Sequence, residues 1–200
     1  MKQIDNLTKR INEIKKSKLE KECKLLKIST DKNKKKNFIE KLIKQFESII
    51  KEYKKINSKS KHDFKDISNL ILLNISIEGL IKIVTFDKLP LDYLQIDKKN
   101  RTIYNIKNLL LKIIPKKEQN KINIVKIILD LVNEQRNTFI HFPLYYEDDY
   151  RFKYYYFQLI AYLIEYNDYW NYLDNDIKKY IKIQAKELPT GIKLLKKELY

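Results

Sequence analysis

Along most of this chain apolar residues recur at steps of three and four, the spacing that lines one face of an α-helix. Ile39, Leu42, Phe46, Ile49, Tyr53 and Ile56 form the longest such run, and Ile4, Leu7, Ile11 and Ile14 form another. Almost nothing interrupts the pattern: 200 residues contain 2 glycines and 4 prolines. A many-stranded β fold needs a turn every few residues and the Gly and Pro that build it. The supply here is far too small, so the spacing predicts an all-α chain, with 44% hydrophobic residues to fill a core.

The stripes also divide the chain. Ile4 to Ile14 predicts a first helix, with Leu19, Cys23 and Leu26 resuming the stripe after a phase slip, and Ile39 to Ile56 predicts a second. The lysine-rich stretch Asp31 to Asn37 is expected to separate them. Residues 1–57 are therefore expected to form a basic helical hairpin that packs on the rest of the chain, dimerises or lies along a nucleic acid. Residues 58–65 are polar and read as a linker. Residues 66–200 are expected to form a bundle of four to five helices with further C-terminal helices.

Within that bundle, one helix is expected from Asp63 or Asp66 to about Phe86, carrying Ile67, Leu70, Ile71, Asn74, Ile75, Ile77, Ile81 and Val84. Pro90 is placed in the following loop, and a helix from about Ile103 to Ile114 is ended by Pro115. The next helix should run from about Glu118 to Phe142. A long aromatic helix is expected from Asp148 to Leu173, then one capped by Asp174 and ending near Leu188-Pro189, with Gly191 in the turn before a short last helix.

Charge narrows the classes of partner. The chain carries +16, and residues 1–62 hold 20 Lys and Arg against 8 Asp and Glu, a net +12. A positive surface of this density favours RNA or another polyanion through counterion release. Lys34, Lys35 and Lys36 are the densest run and the first candidates for such contacts; a solvated lysine surface is the plain alternative. Cys23 is the lone cysteine, which rules out an intrachain disulfide and a cysteine-based zinc cluster. The first residues lack the apolar core of a signal peptide, and Leu70 to Val84 is too interrupted to span a membrane. A soluble, cytoplasmic protein is expected.

Two scarce residues meet at one place. Arginine occurs at positions 10, 101, 136 and 151, and histidine only at 62 and 141. Arg136-Asn137-Thr138-Phe139-Ile140-His141 closes the apolar segment that begins near Ile122 and is followed by Phe142-Pro143. His141, with an ordinary pKa of about 6.5, suits acid or base duty near neutrality. Arg136 is always charged and forked to grip a phosphate oxyanion. Asn137 stands one helical turn before His141 and can orient it. The plain alternative pairs Arg136 with a nearby acid and lets His141 cap the helix C-terminus. His62 lies alone in the lysine-rich linker with no partner at metal spacing.

The Arg136-Asn137-x-x-x-His141 pattern resembles the signature of the HEPN superfamily, and the order and length of the helices over residues 63 to about 175 agree with it. In residue identity the resemblance rests on the hexapeptide and its flanks. It implies a HEPN-like bundle with the motif at the end of a main helix, acting as a homodimer with two motifs across one cleft. It also implies a metal-independent endoribonuclease of a toxin-antitoxin, phage-defence or other antiviral system, with Arg136, Asn137 and His141 catalytic. RNA, and an antitoxin or other defence-system protein, are the implied partners; no cofactor or metal is expected. Two alternatives stay open: a non-catalytic HEPN-fold interaction or nucleotide-binding subunit, and a basic coiled-coil nucleic-acid-binding protein.

Around the motif, Tyr145 and Tyr146 are candidates for stacking RNA bases. In one branch of the family a tyrosine two residues after the histidine is modified by a partner enzyme; here Pro143 stands at that place, which departs from that mode of regulation. The tyrosine-rich run after Tyr150 has helical spacing and is assigned first to core packing and contact between copies. Glu147, Asp148 and Asp149 are explained by the start of a helix.

Overall fold

The computed structural model describes the backbone of residues 2–59, 64–96, 101–115, 119–141 and 150–186. Among these the chain forms α1 (Lys2–Thr30), α2 (Lys32–Lys59), α3 (Phe64–Lys88), α4 (Pro90–Gln95), α5 (Ile103–Ile113), α6 (Gln119–His141), α7 (Tyr150–Tyr166) and α8 (Asn175–Lys186). A 3₁₀ turn, Tyr169–Tyr172, lies between the last two, and the described residues include no strand. The protein is all-α, as the periodicity predicts. His62, Tyr145, Tyr146, the acidic run 147–149 and everything after Lys186 lie outside the described residues.

The core is built around α3. Leu73, Ile77, Leu80, Ile81, Val84 and Phe86 are all buried, so α3 is apolar on more than one side and packs against α2, α5 and α7 together. From α2 come Ile39, Ile43, Phe46, Ile50 and Tyr53; from α5, Ile103, Ile106 and Leu110. Val125, Ile128, Leu129 and Val132 of α6, Tyr156, Phe157, Ile160 and Ile164 of α7, and Ile177 and Ile181 of α8 complete one continuous cluster. Rings within it meet edge-on, as aromatic quadrupoles prefer: Phe157 and Tyr180 lie 5.7 Å apart at 90°, and Phe38 and Phe86 5.7 Å apart at 72°.

The helix ends show where local chemistry overrode simple periodicity. The expected lysine-rich break shrinks to Asp31, whose Oδ1 accepts hydrogen bonds from the amides of Asn33 at 3.1 Å and Lys34 at 3.0 Å. This N-cap satisfies two of the donors that a helix start leaves open, so Lys32 to Asn37 join α2. Pro90 opens α4 instead of lying in a loop, because the first helical position needs no amide proton and favours the fixed proline φ. The aromatic helix expected to reach Leu173 stops at Tyr166: Asp168 adopts φ 59°, a left-handed conformation that ends a helix.

Polar ties decide which helix ends meet. Asp174 precedes α8 as expected, but its carboxylate turns away from its own helix and receives the ammonium groups of Lys51 at 2.5 Å and Lys44 at 3.0 Å. Both lysines also contact Glu47, whose side chain is 2% exposed, so the network staples α2 to the start of α8. The Lys51 ammonium, with Lys44 adding, holds the Asp174 carboxyl well below the usual carboxylate range. Asp174, and then Glu47, raise Lys51 and Lys44 in turn.

Arg101 makes a second tie. Its guanidinium forms a two-pronged pair with Glu22 of α1 at 2.8 and 3.1 Å. It also donates to the carbonyls of Ile96 and Leu94, each at 3.0 Å, and stacks 4.9 Å from the Tyr93 ring. A third tie joins Tyr169, whose hydroxyl donates to Asp87 at 2.8 Å; burial first, and the Asp87 charge second, push that phenol far above its ordinary pKa.

Candidate active site

The Arg-Asn-x-x-x-His hexapeptide occupies the last two turns described for α6, Gln119–His141. Two features set this helix in place. Its buried row Val125, Ile128, Leu129 and Val132 packs toward α5 and α7. On its outer flank Asp130 receives the Lys107 ammonium of α5 at 2.6 Å, which fixes the helix's rotation.

Helical register then separates the motif residues. Position 136 lies four residues after Val132 and seven after Leu129, so it continues the buried row beyond the point where the core ends. Position 137 lies seven residues after Asp130 and position 141 four further on, so these two continue the outer row. Asn137 is exposed. The side chains of Arg136 and His141 are outside the described ones; on a regular helix their positions are about 140° apart. One copy of α6 therefore offers an amide and an imidazole on one row and a guanidinium on another.

Lys34, Lys35 and Lys36 stand in the first turns of α2. Lys34 reaches Asp31 at 3.0 Å across an exposed surface. Lys35 is directed inward: its ammonium donates to the Asp87 carbonyl at 2.9 Å and lies 3.5 Å from the Asp87 carboxylate. Lys36 is exposed, as are Lys16, Lys18, Lys21, Lys24 and Lys27 of α1. None of these lysines lies on α6. Backbone and side-chain hydrogen bonds from Lys34 lower the Asp31 carboxyl below its ordinary value.

The aromatic run after Tyr150 mainly builds the core where it is described. Tyr156 and Phe157 are fully buried, and the Tyr156 hydroxyl donates to Asn74 Oδ1 at 3.1 Å. Tyr166 donates to the Ile113 carbonyl at 3.1 Å, and its ring stacks on Tyr162 at 5.7 Å. Among the described residues no group of three or more His, Cys, Asp or Glu could hold a metal ion. No helix among them is long and apolar enough to cross a membrane.

One surface feature was not singled out in the sequence. An open apolar groove of about 310 Å³ runs between α2 and α3, with Leu25 of α1 and Tyr93 of α4 at one end. Ile75, which belongs to the apolar pattern of α3, lines it and is 50% exposed. Gly79 was its sequence signal: an isolated glycine within a helical pattern asks for a packing reason.

No family model, curated protein or solved structure matches the chain.

Proposed function

We propose that this protein is a metal-independent endoribonuclease of the HEPN type, serving a prokaryotic toxin-antitoxin or phage-defence system as a cytoplasmic homodimer. The observation that carries the proposal is the presence of Arg136, Asn137 and His141 within the last two turns of one core helix, followed in sequence by Phe142-Pro143. A base removes the proton of a ribose 2′-hydroxyl, and the 2′-oxygen attacks the adjacent phosphorus. The bond from phosphorus to the 5′-oxygen breaks as an acid protonates that oxygen, leaving a 2′,3′-cyclic phosphate. His141 supplies one of these proton transfers and Arg136 neutralises the phosphorane.

One imidazole serves as either acid or base in a given step, and the helical rows of positions 136 and 141 diverge. Both facts favour a composite site in which a second copy's α6 supplies the complementary groups. The exposed lysines of α1 and Lys36 of α2 supply the long-range attraction for an RNA backbone. Tyr145 and Tyr146 follow the motif closely enough to stack on bases beside the cleaved bond.

The test is incubation of purified protein with total RNA and tRNA in EDTA, beside His141→Ala and Arg136→Ala, reading fragment ends for 2′,3′-cyclic phosphate. Wild-type cleavage is expected, with a loss of at least a hundredfold in each variant at unchanged helicity. Equal activity in wild type and His141→Ala would remove the assignment. Silence from wild type, with a tight protein partner recovered, would instead favour the non-catalytic interaction subunit.

A further inference from the structure

The second apolar run of α1 faces away from α2. Leu19, Cys23, Leu26 and Thr30 follow each other at steps of four, three and four, the spacing that keeps one row along a helix that pairs with another helix. All four are exposed, Leu19 at 67% and Leu26 at 44%. Leu25, packed against the core, and half-buried Ile28 lie about 160° round the helix, on its inward side. The two-pronged contact of Arg101 with Glu22 fixes that rotation, so the outer row is held toward solvent.

Charge along one flank of this row identifies its partner. Lys16, Glu20 and Lys27, with Asp31 at the helix end, lie within about 60° of one another and read plus, minus, plus, minus. Turned end for end, the order becomes minus, plus, minus, plus. The spacing is symmetric as well: positions 16 and 31, like positions 20 and 27, are equally far from a point between residues 23 and 24. We propose that α1 is a self-association site, on which the α1 of a second copy lies antiparallel across a twofold axis at that point. Lys16 then meets Asp31 of the second copy and Glu20 meets Lys27, each pair occurring twice. Cys23 comes beside its own equivalent, and Leu19 and Leu26 close the seam on either side. In a parallel pair the same flanks lie on opposite sides of the seam and do not meet.

The row also argues against a polyanion on this face. Its four charges sum to zero, whereas Lys18, Lys21 and Lys24 lie on the other side of the helix and stay in solvent. Exposed ion pairs add little strength; they choose orientation and register, while Leu19 and Leu26 supply the apolar burial. The inference depends neither on nuclease activity nor on a pairing of copies through α6.

The test uses Cys23 as it stands. The full chain is oxidised at low concentration with copper phenanthroline, and the rate of disulfide-linked dimer is read by non-reducing electrophoresis. Beside it runs Lys21→Cys in a Cys23→Ser background, which carries its thiol on the far side of α1. Cys23 is expected to link about tenfold faster or more, because the contact raises the local concentration of its partner. Glu20→Lys and Lys27→Glu, each retaining Cys23, are expected to lower the rate about fivefold, and the double variant to recover it, with helicity unchanged. Equal rates at positions 23 and 21, indifference to both single reversals, or no recovery in the double variant overturns the proposal. Linking of wild type only when inorganic polyphosphate is added would make a polyanion the occupant and overturns it too.

Discussion

Arg101 and Lys34 show how differently two ion pairs can matter. Lys34 meets Asp31 on an exposed surface, 71% and 39% accessible, where solvent screens the charges and side-chain entropy opposes the contact. The Arg101 side chain is 8% exposed, and its fork serves two carboxylate oxygens and two backbone carbonyls together. Lysine preserves the charge but cannot reproduce that planar arrangement. Arg101→Lys is therefore expected to cost about 2–3 kcal/mol in a urea titration, close to the loss of a buried paired charge. Lys34→Ala should leave the midpoint nearly unchanged. Similar losses for the two variants would mean that Arg101 is a surface residue in solution.

Among the helices, Gly79 makes the sharpest local test. A helix-interior glycine is about 1 kcal/mol worse than alanine, and a Cβ there would meet nothing within 4 Å. Gly79→Ala is expected to raise stability by about 0.5–1 kcal/mol in thermal or urea unfolding. A loss would place a hidden neighbour against α3 within one chain. Element boundaries were readable where the signal is local: Pro115 ends α5 as expected, because proline disfavours helical conformation at the residue before it and Ile114 is extended. The early end of α7 was also written locally, in Asn167-Asp168, since these side chains tolerate the left-handed conformation that Asp168 adopts; the long aromatic stripe drew attention past them. Partners far apart in sequence were not readable. Nothing near Lys35 points to Asp87, 52 residues on, and nothing near Asn74 points to Tyr156. The candidate site divides the same way: spacing gave the helix and the rows of positions 136 and 141, while the side chains of Arg136 and His141 lie outside the described ones.

The molecule as a whole is held by one apolar cluster, and its ion pairs choose which helix ends meet. The Asp174 staple makes that choice sensitive to acid. Its carboxyl is lowered on folding, chiefly by Lys51, so the stability it contributes is fully present above the unfolded carboxylate pKa of about 3.9 and is lost as pH falls through the lower folded value. Lys51 and Lys44 are raised, so their share is fully present below the ordinary lysine pKa and is lost only as strongly alkaline pH passes their folded values. The staple should thus be intact from about pH 5 to 9 and fail first on the acid side. Thermal midpoints of wild type and Asp174→Asn are expected to differ by a constant amount at pH 7 and pH 5, and to converge as the solution is acidified below about pH 3. Added salt should narrow the gap at neutral pH, because Asp174 is half exposed. A gap that stays the same in acid would mean that the asparagine variant loses helix capping instead, and that α8 is docked by Ile177 and Ile181 without electrostatic help.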